Sequence, residues 1–349
     1  MNDLAECLRG LQGELTGKRV MITGAAGLIG STVVRLLLAA NHELGMGVEI
    51  IAHEFRREFL EQRFADCANE LTFVEGDVST LALPDVEVDY IIHAASPAHP
   101  LAYSQTPVDV MRANLLGTMN MLEIAKRCGA RLLFISSGEI YGISEDPESA
   151  FKENEYGYVD ILNPRSCYPE SKRAAETLCA SYHAQYGVEA LVTRLCHVYG
   201  PSITATNTRA DAQFLRNALN GEDIVMKSPG TQVRSFCYVK DCALGLIYIM
   251  VRGAAGEAYN VANRHSIATI RQYAETLADL AGVSIRNEFP SEEEARGYTK
   301  VTRAVLDGSK LEQLGWMPQY DLKAGLGDML NTLRKKTLIG RQQKVGHHG

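Results

Sequence analysis

Apolar residues along this chain recur with two alternating periods. The runs Arg19–Thr23, Val48–Ala52, Leu71–Val74, Tyr90–His93, Arg131–Ser136 and Ala190–Leu195 are short and almost continuously apolar, and read as buried strands. Between them lie longer stretches of helical spacing: Leu28 to Ala40, about Val108 to Cys128, and about Pro169 to Tyr186. Strands alternating with helices imply right-handed crossovers and a parallel sheet covered on both faces, so an α/β, doubly wound (Rossmann) domain is expected. Ahead of the first strand, Leu4, Leu8, Leu11 and Leu15 recur at helical spacing and predict an amphipathic extension over residues 1–16. After Gly200 and Pro201 the texture changes to polar loops and short elements. The expected organisation is a sheet domain over 17–200 and about 236–262, a smaller C-terminal lobe over 201–235 and about 263–335, and a polar tail over 336–349.

Composition narrows the setting. With 349 residues, 46% of them hydrophobic, core burial is no difficulty. The net charge of -7 argues against a nucleic-acid partner, because phosphate neutralisation needs a basic face. The eight cysteines are scattered without a Cys-x-x-Cys pair, which reads as reduced thiols in a cytoplasmic protein and predicts neither a metal site nor a disulfide framework. No apolar run approaches the ~18 residues of a membrane span, so no membrane partner is expected.

The candidate chemistry lies in two places. Thr23-Gly24-Ala25-Ala26-Gly27-Leu28-Ile29-Gly30 follows a strand and opens a helix, the context of a dinucleotide-binding turn. There the backbone approaches a pyrophosphate, and the N–H groups around Leu28, Ile29 and Gly30 face an anion. Asp77 and Val78 after the third strand, and Ala94, Ala95 and Ser96 after the fourth, are candidate cofactor contacts. Glu54, near the end of the second strand, is the candidate acid for a ribose hydroxyl, whereas His53, Arg56 or Arg57 would instead receive a 2′-phosphate. NAD is the expected cofactor, with NADP as the alternative. The second place is Tyr168-Pro169-Glu170-Ser171-Lys172. Four residues apart on a helix, the phenol and the ammonium share a face, and the cation favours a phenolate that can take a proton from an alcohol.

Together with Ser137, Asn114-Leu115-Leu116-Gly117-Thr118, Tyr199-Gly200-Pro201 and Leu314-Gly315-Trp316-Met317-Pro318, these motifs resemble the extended short-chain dehydrogenase/reductase superfamily, in its nucleotide-sugar epimerase/dehydratase branch. The likeness covers about residues 17 to 330. It implies that Ser137 bonds the reacting hydroxyl, Tyr168 is the acid/base, Lys172 holds the nicotinamide ribose, and Asn114 supports the lysine. Within the branch the chain is most similar to UDP-glucuronate decarboxylases, on Ala95-Ser96-Pro97-Ala98-His99-Pro100, Ser137-Gly138-Glu139-Ile140-Tyr141-Gly142 and Asn163-Pro164-Arg165-Ser166-Cys167-Tyr168. The resemblance makes Glu139 the active-site glutamate. Dehydratases place an aspartate before that glutamate, where this chain has Gly138. By the same resemblance Arg303 meets the substrate carboxylate, Arg234 grips the nucleotide diphosphate with Arg209 near it, and Pro97 and Tyr103 line the sugar site. His197 replaces the family's usual asparagine at a phosphate contact. A nucleotide sugar and a homodimer are the implied partners. A 4-epimerase, a 4,6-dehydratase, an NADPH-dependent 4-ketosugar reductase and a non-catalytic dinucleotide sensor are the alternatives.

Overall fold

The computed structural model describes residues 1–80, 86–144, 146, 148–202, 210–289 and 301–345. Thirteen strands are present among them: β1 (Arg19–Thr23), β2 (Glu49–Glu54), β3 (Leu71–Glu75), β4 (Tyr90–His93), β5 (Arg131–Ser137), β6 (Ala190–Leu195), β7 (His197–Tyr199), β8 (Ile224–Met226), β9 (Val233–Tyr238), β10 (Ala258–Val261), β11 (Ile267–Thr269), β12 (Ile285–Asn287) and β13 (Arg303–Ala304). Seven of them form one sheet in the order β10-β6-β5-β4-β1-β2-β3, and every pairing in it is parallel. The chain winds outward from β1 through β2 to β3, then returns to start again at β4 on the other side of β1. That reversal opens a crevice at the carboxyl ends of β1 and β4, where doubly wound sheets bind ligands.

Strand alternation sorts the core into two layers. Val20, Ile22, Ile50 and Ile92 face helices Leu28–Leu44 and Val239–Arg252. Met21, Ile51, Ile91, Leu132 and Phe134 face helices Pro107–Cys128 and Cys167–Tyr186. Leu4, Leu8, Leu11 and Leu15 are all buried in the first layer, so the N-terminal extension packs on the domain as its spacing predicts. It does so as short turns rather than one helix.

A second sheet holds β11, β9 and β13, with β7 pairing β9, and β8 pairs β12 separately. The polar tail expected over 336–349 is helical as far as Val345, as the end of helix Leu322–Val345. Leu326, Met329 and Leu330 are buried and anchor its first turns, and extending a helix costs far less than nucleating one. No helix among the described residues is long and apolar enough to cross a membrane.

Candidate active site

The glycine turn owes its shape to contacts no larger residue could make. Gly24 has φ +65°, and a Cβ there would lie 2.9 Å from the backbone of Ala95. A Cβ on Gly30 would lie 2.4 Å from the carbonyl oxygen of Gly24. Gly27 caps helix Leu28–Leu44 with no side-chain bond, so its first N–H groups face the crevice with the helix dipole behind them. Strand β2 runs two residues further than its apolar run suggests, which carries Glu54 to the turn. Its carboxylate accepts from Ala26 N–H at 3.1 Å and Phe55 N–H at 2.9 Å, the position a ribose-binding acid requires.

Of the cationic alternative at this end of β2, the histidine does not survive. His53 is 1% exposed, and burial pulls its imidazole down to about 4, leaving it neutral. Arg56 pairs with Glu58 at 3.2 Å and Arg57 with Glu61 at 2.9 Å. His53 therefore offers a 2′-phosphate no charge, while both arginines are held in exposed ion pairs. The glycine cradle, the uncapped helix and Glu54 together fit NAD. Ser96 Oγ and Asn114 Oδ1 are buried without a partner, as hydroxyl-binding groups are when their ligand is absent. Asp77 folds back on Ser79 at 2.8 Å, while the Val78 carbonyl accepts from Asn120 at 2.7 Å.

His93 joins the cofactor turn to the catalytic pair. It ends β4, where its Nδ1 lies 2.7 Å from Thr23 Oγ1. Its imidazole is drawn down to about 3 by burial and then by the charge of Lys172. Lys172, 2% exposed, donates from Nζ to Ile135 O at 2.7 Å and sits 4.6 Å from the Phe134 ring. It stands 5.9 Å from the centre of the Tyr168 ring, so it acts on the phenol through space. Burial draws this ammonium down to about 7. Asn114 Nδ2 donates to Ser171 Oγ at 2.9 Å, holding the turn that carries Lys172.

Tyr168 lies in the first turn of helix Cys167–Tyr186. Its ring stacks on Tyr103 with centroids 4.7 Å apart. Both rings are buried, so Tyr103 braces Tyr168. Ser137 ends β5 and its Oγ accepts from Glu139 N–H at 3.2 Å. Beside them stands a residue without an assigned role in the sequence reading: Arg165, whose Nη1 is 2.7 Å from Glu139 Oε2 and whose guanidinium lies 5.4 Å over Tyr103. Glu139 holds Arg165 above its ordinary value although burial works against it. Only its place in the Asn163-Pro164-Arg165 motif signalled it.

Burial pulls Arg234 below its ordinary value, offset in part by the charge of Glu139, and its guanidinium is tied to the carbonyls of Val233 and Val301, each at 2.8 Å. Arg303 pairs with Val233 and Ala304 with Arg234, so alternation sends the two arginines to opposite faces of the small sheet. His197 lies 3.2 Å from buried Asp211 and edge-on to Phe236. Pro97 follows Ser96 in the loop after β4, and Arg209 lies outside the described residues. A separate cleft of about 690 Å³ lies between helix Cys167–Tyr186 and β10, lined by Glu153, Tyr156, Glu176, Arg194, Glu257 and Lys310. It contains none of the residues above. Among the described residues no cluster of three His, Cys, Asp or Glu side chains could hold a metal ion.

Comparison with known proteins agrees with this geometry. The model of the NAD dependent epimerase/dehydratase family matches residues 20–262. UDP-glucuronic acid decarboxylase 3 of Arabidopsis thaliana is 36% identical over 93% of this chain and 91% of its own length. UDP-glucuronic acid decarboxylase 1 of Xenopus tropicalis is 36% identical over 91% of this chain and 73% of its own. Among solved structures, the dTDP-glucose 4,6-dehydratase DesIV of Streptomyces venezuelae, with NAD and TYD bound, matches at TM-score 0.76 and 28% identity, covering 91% of this chain and 97% of that one. The epimerase Mth375 of Methanothermobacter thermautotrophicus shares the fold at TM-score 0.81 and 22% identity, over 96% and 97% of the two chains.

Proposed function

The chain belongs to the NAD dependent epimerase/dehydratase family, and from that premise we propose that it converts UDP-glucuronate to a UDP-pentose and carbon dioxide. The seven-stranded sheet would hold NAD and the smaller lobe the sugar nucleotide. When bound, NAD+ supplies reversible hydride acceptance at the sugar's C4. Tyr168 takes the C4 hydroxyl proton, Ser137 aligns that oxygen, and Lys172 keeps positive charge near the phenolate. The resulting C4 ketone is β to the C6 carboxylate, so the C5–C6 bond breaks with its electron pair delocalised into the ketone as an enolate. Glu139 positions the group that returns a proton to C5, and Tyr168 returns its proton to the C4 oxygen as the alcohol reforms. Arg303 meets the carboxylate and Arg234 the diphosphate.

Gly138 is the observation that carries the choice of decarboxylation over dehydration. A Cβ there would lie 3.1 Å from Leu306 Cδ1 and 3.2 Å from the carbonyl of Leu195. A side chain there would have to push its neighbours aside by a few tenths of an ångström, and glycine itself offers no acid beside Glu139 to expel water. A homodimer is part of the same reading, supported by Val108, Met111, Leu116 and Met119, which are exposed on helix Pro107–Cys128.

The test is to incubate NAD-loaded protein with UDP-glucuronate and follow products by mass spectrometry. Loss of the mass of carbon dioxide is expected, together with loss of activity in Tyr168→Phe. Loss of water instead would mean dehydration, and an isomer of unchanged mass would mean epimerisation. Unaltered substrate at stoichiometric enzyme would overturn the proposal.

A further inference from the structure

The corner formed by Glu139 and Arg165 is built like a receptor whose place is being kept by an internal carboxylate. The pair is half exposed, with side-chain exposures of 50% for Arg165 and 39% for Glu139, and it is closed through one guanidinium nitrogen at 2.7 Å. An exposed ion pair of this kind is weak, so a ligand carboxylate can displace it readily. The arginine is nevertheless preorganised. It lies over Tyr103, which is buried and stacked on Tyr168. The pair thus stands next to Ser137, whose Oγ accepts from Glu139 N–H, and reaches Tyr168 through the Tyr103 ring.

We propose that Arg165 joins Arg303 in receiving the sugar's C6 carboxylate, exchanging Glu139 for it as the substrate seats and so freeing Glu139 to turn toward C5. The inference rests on the decarboxylase reading and adds a specificity-determining residue to it. A sugar with a neutral hydroxymethyl group at C6 cannot drive the exchange, because it offers the guanidinium nothing better than Glu139. Recognition of the acid and release of Glu139 then become one event. A planar fork suits a carboxylate better than a lysine's point charge does.

The experiment uses calorimetric titration of the NAD-loaded full chain carrying Tyr168→Phe, which stops turnover, with UDP-glucuronate and UDP-glucose as ligands. Adding Arg165→Gln should weaken UDP-glucuronate about tenfold or more and UDP-glucose less than about twofold. Arg165→Lys should fall between. Glu139→Gln should tighten UDP-glucuronate about threefold by removing the internal competitor, and that gain should vanish when Arg165→Gln is also present. Equal losses for both ligands, or a Glu139→Gln gain that persists without Arg165, would overturn the assignment. If Arg165→Gln unfolds, the ratio of the two ligands in Arg165→Lys decides alone: an unchanged ratio overturns it. Should the enzyme with Tyr168 intact release no carbon dioxide from UDP-glucuronate, the decarboxylase reading fails and the assignment with it. Turnover by that enzyme with an unselective Arg165→Gln sinks the Arg165 assignment alone.

Discussion

His53, Thr23 and His93 lie side by side across β2, β1 and β4, and two of the three carry a titration that folding suppresses. Burial pulls the imidazoles down to about 4 and about 3. Below the ordinary histidine value near 6.5 the unfolded chain takes up protons that the folded protein refuses. Stability is therefore full above that value and falls as pH drops toward the folded values. Asp241 works in the opposite sense, because burial pushes its carboxyl up to about 6. Replacing one histidine isolates its share. His53→Asn should shrink the stability lost between about pH 7 and pH 5 by about 2 kcal/mol in urea denaturation. An unchanged acid limb would show that His53 titrates normally. Neither ring could be read as buried from its own residue type: His53 looked like a cation for a phosphate, and only its position facing helix Pro107–Cys128 makes it neutral.

Among elements, the strand–turn–helix at residues 19–44 is the most strongly specified, since local sequence and packing agree there. Its weak point is Gly30, whose missing Cβ makes room for the carbonyl of Gly24. Gly30→Ala should cost about 1–3 kcal/mol of stability through overpacking and abolish co-purification of NAD, read from nucleotide released on denaturation. Gly13→Ala meets nothing within 4 Å and should leave both unchanged. Elsewhere in the first 195 residues the sheet strands and the two long helices were legible to within about two residues, but their functional ends were not, and the small elements of the C-terminal lobe were not read individually. β2 extends through Glu54 and helix Cys167–Tyr186 begins before Tyr168. The helix also carries Glu176, which forms a buried ion pair with Arg194 of β6 at 2.7 Å and accepts from Ser136 at 2.5 Å. No local pattern marks those partners, because the contacts join separate elements.

At the scale of the whole molecule the exposed side of helix Pro107–Cys128 has a consequence. Val108, Met111, Leu116 and Met119 follow helical spacing and stay open to solvent, while the opposite side of the helix packs against the sheet and helix Cys167–Tyr186. An exposed apolar stripe of this kind suits an isologous pairing with its symmetry mate. Light scattering should find a dimer for the native chain and a monomer for Leu116→Lys/Met119→Lys. A monomeric native chain would refute the pairing. The catalytic helix packs on the same helix, so the monomeric variant should also lose activity.

The alternation of apolar runs determined the doubly wound sheet, and the glycines, Tyr168 and Lys172 were evident because each acts with neighbours a few residues away. Local sequence carries such information, since a turn, a strand face or a helix face depends on spacing alone. The neutral state of His53, the distance between Lys172 and the phenol, and the meeting of Glu139 with Arg165 were decided only by tertiary structure. These are matters of solvent exclusion and of charges brought together across long sequence separations, and both arise only once the sheet and its helices have closed on one another.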